Sequence, residues 1–192
     1  MRYKIVVSDL DGTLLNSQHR ISDYTVSTIR KLEKKDAPLM IEWMHDQDVN
    51  CNFRADFAHM TLEQSQNFVE HSFDEESQNF AFVDENDEYM GTISLKHISE
   101  TDKNAEYAVV TRKCAQGTGI AYEATMDILE YAFEKLGLHR VYLNVLEENV
   151  RANKFYKKCG FRYEGTFQDH LCIHGAYKNL NWYGIRKEDF RR

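Results

Sequence analysis

The chain has 192 residues, of which 42% are hydrophobic and 12% aromatic, enough apolar surface for a core and too much for wholesale disorder. Its formal net charge of −7 excludes a nucleic-acid binder driven by bulk positive charge, and that charge is unevenly placed. Residues 1–36 carry seven Lys/Arg against five Asp/Glu, so the acidity lies in the remainder. Cys51, Cys114, Cys159 and Cys172 show no C-x-x-C spacing, and no apolar run is long enough for a membrane span or signal segment. The expectation is a cytoplasmic protein with reduced thiols, no membrane and no nucleic-acid partner.

Residues 3–8 form a β-branched run that reads as a buried strand, followed by Asp9-Leu10-Asp11-Gly12-Thr13. Residues 22–35 fit two patterns. Val26, Ile29 and Leu32 recur every three residues, as in a helix, but residues 28–33 also alternate as a short edge strand. Asp36 reads as an N-cap, with Pro38 in the first turn of a helix running to about His45. Residues 47–60 read as loop, and Thr61-x-x-Gln64 as a capping box opening a helix to about Phe73. Strands are expected over residues 79–84, 89–97 and 105–111.

Ile120, Ala124, Ile128, Ala132 and Leu136 recur every four residues opposite Glu123, Asp127, Glu130 and Glu134, an amphipathic helix closed by Gly137. Residues 140–146 alternate as a strand. A helix capped by Asn149 and stopped by Gly160 follows, and two closing strands surround His174-Gly175. This order has a single strand–helix–strand segment, so it predicts an α+β fold with a mixed sheet rather than a doubly wound one.

Two segments carry chemistry. Gln116-Gly117-Thr118-Gly119-Ile120-Ala121 places two glycines at a helix start, where successive backbone N–H groups and the helix dipole suit an anion. No Lys-Ser/Thr follows, as a Walker loop requires, and Tyr122 stands where a dinucleotide fingerprint has its third glycine. An ordinary Gly-rich turn has the same pattern. In the second segment, Asn149, Arg151, Ala152, Tyr156, Gly160 and Phe161 are individually unremarkable, and Tyr156 alone fits a core aromatic as well as a catalytic group. Asn144, in mid-strand, needs a partner for its amide.

Together, in this order and spacing, the two segments resemble the GNAT (Gcn5-related N-acetyltransferase) superfamily, in the branch with ribosomal-protein, spermidine and amino-sugar acetyltransferases. Residues 116–121 match its Gln/Arg-x-x-Gly-x-Gly/Ala signature, and residues 149–161 its N-x-x-A-x-x-x-Y-x-x-x-G-F segment. The resemblance implies a GNAT-type mixed, mostly antiparallel twisted sheet flanked by helices over residues 36–192, with a first strand at residues 28–33. It implies acetyl-CoA-dependent N-acetylation of a primary amine (a polyamine, protein N-terminus or amino sugar) by direct attack on the thioester. The pyrophosphate would be held by Gln116, Gly117, Thr118, Gly119, Ile120 and Ala121, the pantetheine arm by Val109 and Val110, and the cofactor also by Asn149. Tyr156 would be the general acid and Glu106 the candidate base, with water the alternative.

The opening strand with Asp9, Asp11, Gly12 and Thr13 resembles the first motif of the haloacid-dehalogenase (HAD) phosphatases, in which both aspartates help hold Mg²⁺. The later Ser/Thr, Lys and acidic pair of such a site do not follow, so residues 1–35 read as a truncated, catalytically dead leader attached as an extra strand–loop segment. A Mg²⁺-dependent phosphatase and a non-catalytic acyl-CoA-binding protein remain the rival functions. The eight histidines are scattered along the chain, and no metal is expected. Trp43, Met44, Phe53 and Phe57 suit an acceptor pocket, a core or the contact of a homodimer.

Overall fold

The computed structural model describes residues 28–51 and 53–192; the expected strand at 3–8 and the aspartate motif lie outside the described residues. The described chain builds one seven-stranded sheet in the order β1-β2-β3-β4-β5-β7-β6. The strands are β1 (Ile29–Lys31), β2 (Gln78–Val83), β3 (Tyr89–Ser99), β4 (Asn104–Thr111), β5 (Arg140–Leu146), β6 (Arg162–Ile173) and β7 (Ala176–Arg186). Five helices accompany them: α1 (Ala37–His45), α2 (Gln47–Asn50), α3 (Leu62–Glu70), α4 (Ile120–Glu130) and α5 (Val150–Lys158). Neighbouring strands are antiparallel except β4 and β5. This is the mixed α+β sheet that the element order predicts, mostly antiparallel as the family resemblance implies. No helix among the described residues is long and apolar enough to cross a membrane.

The ambiguity at residues 22–35 resolves to strand for Ile29–Lys31, paired with Phe80–Phe82 of β2. Burial decides it. Ile29 packs against the α4 side of the sheet, while Leu32 is buried with Met40, Trp43 and Met44 on the other side. A helix would have put both side chains on one face. Asp36 precedes α1 as expected but caps none of its amides. Its buried carboxylate instead takes two bonds of 2.8 Å from the Arg30 guanidinium and one from the Glu33 N–H. The Thr61/Gln64 capping box forms with both of its bonds, but α3 ends at Glu70 because Phe73 leaves to bridge Gln78. The segment expected as loop contains the single turn α2, capped by Asp46.

Two layers of helix cover the sheet. The apolar stripe of α4, with Phe133 and Leu138 beyond it, meets Phe82, Ile93, Ala105, Tyr107, Val141 and Leu143 in the main core. Past Glu130 the helix widens into a π-helical turn over Tyr131–Lys135, where the four-residue apolar spacing fits better than 3.6. On the opposite face, α1 and α3 bury Met40, Trp43 and Val69 against Ala81 and Tyr89.

β3 and β4 approach closely at Gly91, paired with Thr111. A Cβ there would lie 2.3 Å from the Val110 carbonyl oxygen and 2.2 Å from the Phe82 ring. Backbone cannot yield to that contact as a flexible side chain can. Gly91→Ala is expected to destabilise the fold by about 1–3 kcal/mol, the scale of an overpacked core site, read as a lowered midpoint in urea unfolding.

Candidate active site

β4 and β5 pair in parallel only at Asn104–Glu106 with Arg140–Tyr142. Beyond Glu106 and Tyr142 the strands diverge, and a cleft of about 710 Å³ opens between them. β4 keeps β3 on its other edge as far as Thr111, so one row of its backbone polar groups faces the opening. The cleft is lined by Glu106, Val109 and Val110 from β4, Gln116, Gly117, Thr118, Gly119 and Ala121 from the Gly-rich segment, and Asn149 and Tyr156 from α5. Sequence reasoning named all of these.

Ile120 is the exception. Its side chain is buried in the α4 core and it does not line the cleft, because the first residue of an amphipathic helix here begins the apolar stripe. Its N–H leans on the Thr118 hydroxyl at 3.4 Å.

The Gly-rich segment has the geometry of an anion cradle. Gly117 and Gly119 adopt φ of +82° and +93°, a region open to glycine at little cost, and a Cβ on either would project into empty space. The N–H groups of Gly117, Gly119 and Ala121 find no acceptor among the described residues, whereas Gln116 N–H and Thr118 N–H close turns onto Lys113 and Ala115. Three unsatisfied amides thus stand at the positive end of α4. The loop is held from behind by Arg112, buried where β4 ends, whose guanidinium reaches Glu42 on α1 at 2.7 Å, Glu88 at 2.7 Å and the Tyr89 carbonyl at 2.8 Å.

α5 is fixed with equal care. Asn149 accepts from the Ala152 N–H through its side-chain oxygen, as an N-cap should. Asn153, unremarked in the sequence beyond its place in the motif, is the anchor. Its Nδ2 donates to the carbonyls of Leu146 at 2.9 Å and Asn149 at 2.8 Å, while Oδ1 accepts from Asn181 Nδ2 and the Tyr183 hydroxyl. The buried amide therefore ties α5 to the end of β5 and to the middle of β7.

Tyr156 is buried, its ring packed edge-on against Tyr107 and Phe161. The other deeply buried tyrosines have a partner for their hydroxyl: Tyr89 with Thr92, Tyr107 with Thr125, Tyr183 with Asn153. The Tyr156 hydroxyl has none among the described residues and belongs to the cleft wall. Burial, reinforced by the neighbouring Cys159, pushes it well above the ordinary phenol range, so it stays protonated. Glu106 sits at the fork of the strands, its Oε1 accepting from Asn144 Nδ2 at 3.0 Å. That bond supplies the partner Asn144 required. The second oxygen lies 3.8 Å from His97 Nε2. Phe53, Arg54, Leu171 and Leu180 also line the cleft. Trp43 and Met44 belong to the α1 core instead, and Phe57 packs edge-on against Trp43. Among the described residues no group of three or more His, Cys, Asp or Glu side chains is placed to hold a metal ion.

A mostly antiparallel sheet thus opens between its two parallel strands beside a Gly-rich helix start. The acetyltransferase (GNAT) domain family matches residues 27–162, and a short match to haloacid dehalogenase-like hydrolases spans residues 6–42. The spermidine N(1)-acetyltransferase of Vibrio cholerae is 28% identical over 80% of this chain and 88% of its own. That of Escherichia coli K12 is 29% identical over 79% and 81%. A Vibrio cholerae spermidine N-acetyltransferase solved with CoA and spermine superposes with a TM-score of 0.76 at 24% identity, covering 84% of this chain and 96% of that one. A GNAT-family acetyltransferase from Bacillus anthracis gives 0.74 at 27%, covering 83% and 94%. The chain belongs to the GNAT family and is an N-acetyltransferase.

The four cysteines are free, and only Cys159 is buried. Burial pushes its thiol up to about 12, so almost no thiolate exists near pH 8. Iodoacetamide at pH 8 is expected to label three thiols per folded chain, at Cys51, Cys114 and Cys172, and all four after denaturation, counted by intact mass.

Proposed function

We propose that the protein transfers the acetyl group of acetyl-CoA to a primary amine by direct attack. The observation that carries this reading is the Tyr156 hydroxyl: its ring is buried, and the protonated hydroxyl opens onto the cleft with no hydrogen-bond partner among the described residues. A hydroxyl held by a fixed ring and committed to no protein acceptor is free to donate to a group lodged in the cleft.

The donor set fits the cofactor. The free amides of Gly117, Gly119 and Ala121 suit a pyrophosphate, and the unpaired edge of β4 at Val109 suits the amides of a pantetheine arm, while the Val110 backbone turns to β3. When bound, acetyl-CoA supplies an activated acyl carbon and a thiolate leaving group. Tyr156 would act as general acid, its Oη supplying the proton for the sulfur. The Val109 N–H would stabilise negative charge on the carbonyl oxygen. Glu106 receives the amine's proton on Oε2, because Oε1 is already held by Asn144. Asn149 keeps its side-chain NH₂ for the cofactor while its oxygen caps α5.

The acceptor is a cationic amine of the polyamine kind. Two carboxylates line the cleft, and Asp48 is paired with Lys113, which leaves Glu106 to meet an ammonium group. The spermidine enzymes among the relatives support this choice. Residues 1–35 enter this reading as a HAD-like leader without a phosphatase centre of its own, since its further metal-binding residues are not found downstream.

The test is thiol release from acetyl-CoA across an amine panel headed by spermidine, run beside calorimetric CoA binding. CoA binding with no thiol release on any amine would replace this reading with a non-catalytic binder. Gly119→Val is expected to weaken CoA binding by about 1–3 kcal/mol, the scale of a few charge-assisted bonds to a cradle it obstructs. Tyr156→Phe keeps ring and burial but removes the proton. It is expected to leave CoA affinity intact and slow the single-turnover rate by about 10²–10⁴-fold. An unchanged rate would leave Tyr156 as a core aromatic.

A further inference from the structure

The arginines of this chain divide by their partners. Arg30, Arg112, Arg140, Arg162, Arg186 and Arg192 each reach a carboxylate. Arg151 does not, among the described residues. It is the second residue of α5, and from there its guanidinium crosses the cleft to donate through Nη1 to the side-chain oxygen of Gln116 on the Gly-rich segment. A neutral amide engages one of five N–H donors and balances none of the charge. Arg54, on the stretch after α2, also lines the cleft and has no carboxylate partner among the described residues.

This is an unusual way to keep two cations in a protein with a net charge of −7, where carboxylates are plentiful. Both sit at the cleft, and one spans it from wall to wall through a contact that an incoming anion outcompetes. The three free amides of Gly117, Gly119 and Ala121 already answer to a pyrophosphate. CoA carries one more phosphate, the dianionic 3′-phosphate of its ribose, and a planar guanidinium is the side chain best shaped to grip it.

We propose that Arg151 leaves Gln116 to bind the ribose 3′-phosphate of the cofactor, with Arg54 adding to the positive potential of the cleft. This rests on the acetyl-CoA reading above. It makes Arg151 a specificity residue that separates CoA from its 3′-dephospho form.

The test is isothermal titration of the full chain with CoA and with 3′-dephospho-CoA. Wild type is expected to prefer CoA by about 10–100-fold, the range of charge-assisted bonds to a dianion. Arg151→Gln is expected to bring that preference within about threefold while leaving dephospho-CoA affinity unchanged; Arg151→Lys restores part of it. Arg191→Gln removes the same charge from a side chain that bonds only to the carbonyls of Glu188 and Phe190, and should keep the full preference. An Arg151→Gln protein of wild-type melting temperature that retains the preference, or loses affinity equally for both ligands, overturns the assignment and leaves the acetyl-CoA reading standing. A wild type that binds neither ligand overturns both.

Discussion

The parallel pairing of β4 with β5 stops after three residues, and everything at the cleft follows from where it stops. A sheet tends to keep its ladder, since unpaired backbone groups turned away from water cost free energy. Here each strand meets that demand on its outer edge, β4 from β3 and β5 from β7, so the inner edges can part without either strand losing its place. The opening is bounded by strand backbone on both sides, by the start of α4 at one end and by α5 at the other. Glu106 is the last paired residue of β4, which sets the candidate base at the fork where the opening begins.

A gap in a sheet closes unless its walls are held, and two buried polar groups hold them. Arg112 ties the approach to the Gly-rich segment to α1 and to the turn before β3. Asn153 ties α5 to β5 and β7, with all its bonding capacity used. Both are satisfied, as buried polar groups must be to give rigidity rather than strain. Against that background the unsatisfied groups stand out: three loop amides, the Tyr156 hydroxyl and the Arg151 charge all face the same space. Preorganised donors around an open volume are what acyl transfer asks of a protein, since they need not reorganise when charge develops.

Much of this was readable in the residues. The alternation from Arg140 to Leu146 marked β5 to the residue, and His174-Gly175 marked the hairpin between β6 and β7. Spacing also located the Gly-rich segment and α5, which supply part of the cleft wall. What spacing could not show was tertiary competition for side chains. Asp36 has the composition of a cap, but Arg30 outbids the helix amides for its carboxylate. Trp43 and Met44 have the composition of a pocket wall, yet the sheet face beneath α1 buries them. Arg151, Arg54, Leu171 and Leu180 reach the cleft from separate elements, so no local pattern announces them together.

The same short pairing divides the sheet into two halves. β1 to β4 run as consecutive antiparallel neighbours, and β6 with β7 forms a local hairpin to which β5 adds. Each half is held by long antiparallel ladders, whereas the join between the two halves relies on three residue pairs and on helices laid across it. Two subassemblies meeting along a narrow seam make that seam the place where native-state opening costs least. Amide protons of β4 and β5 beyond Glu106 and Tyr142 should therefore exchange faster than those of β3 or β7. A molecule lodged between the walls, touching both halves at once, supplies the cohesion that the backbone leaves out, and the folded state gains stability by mass action as the site fills.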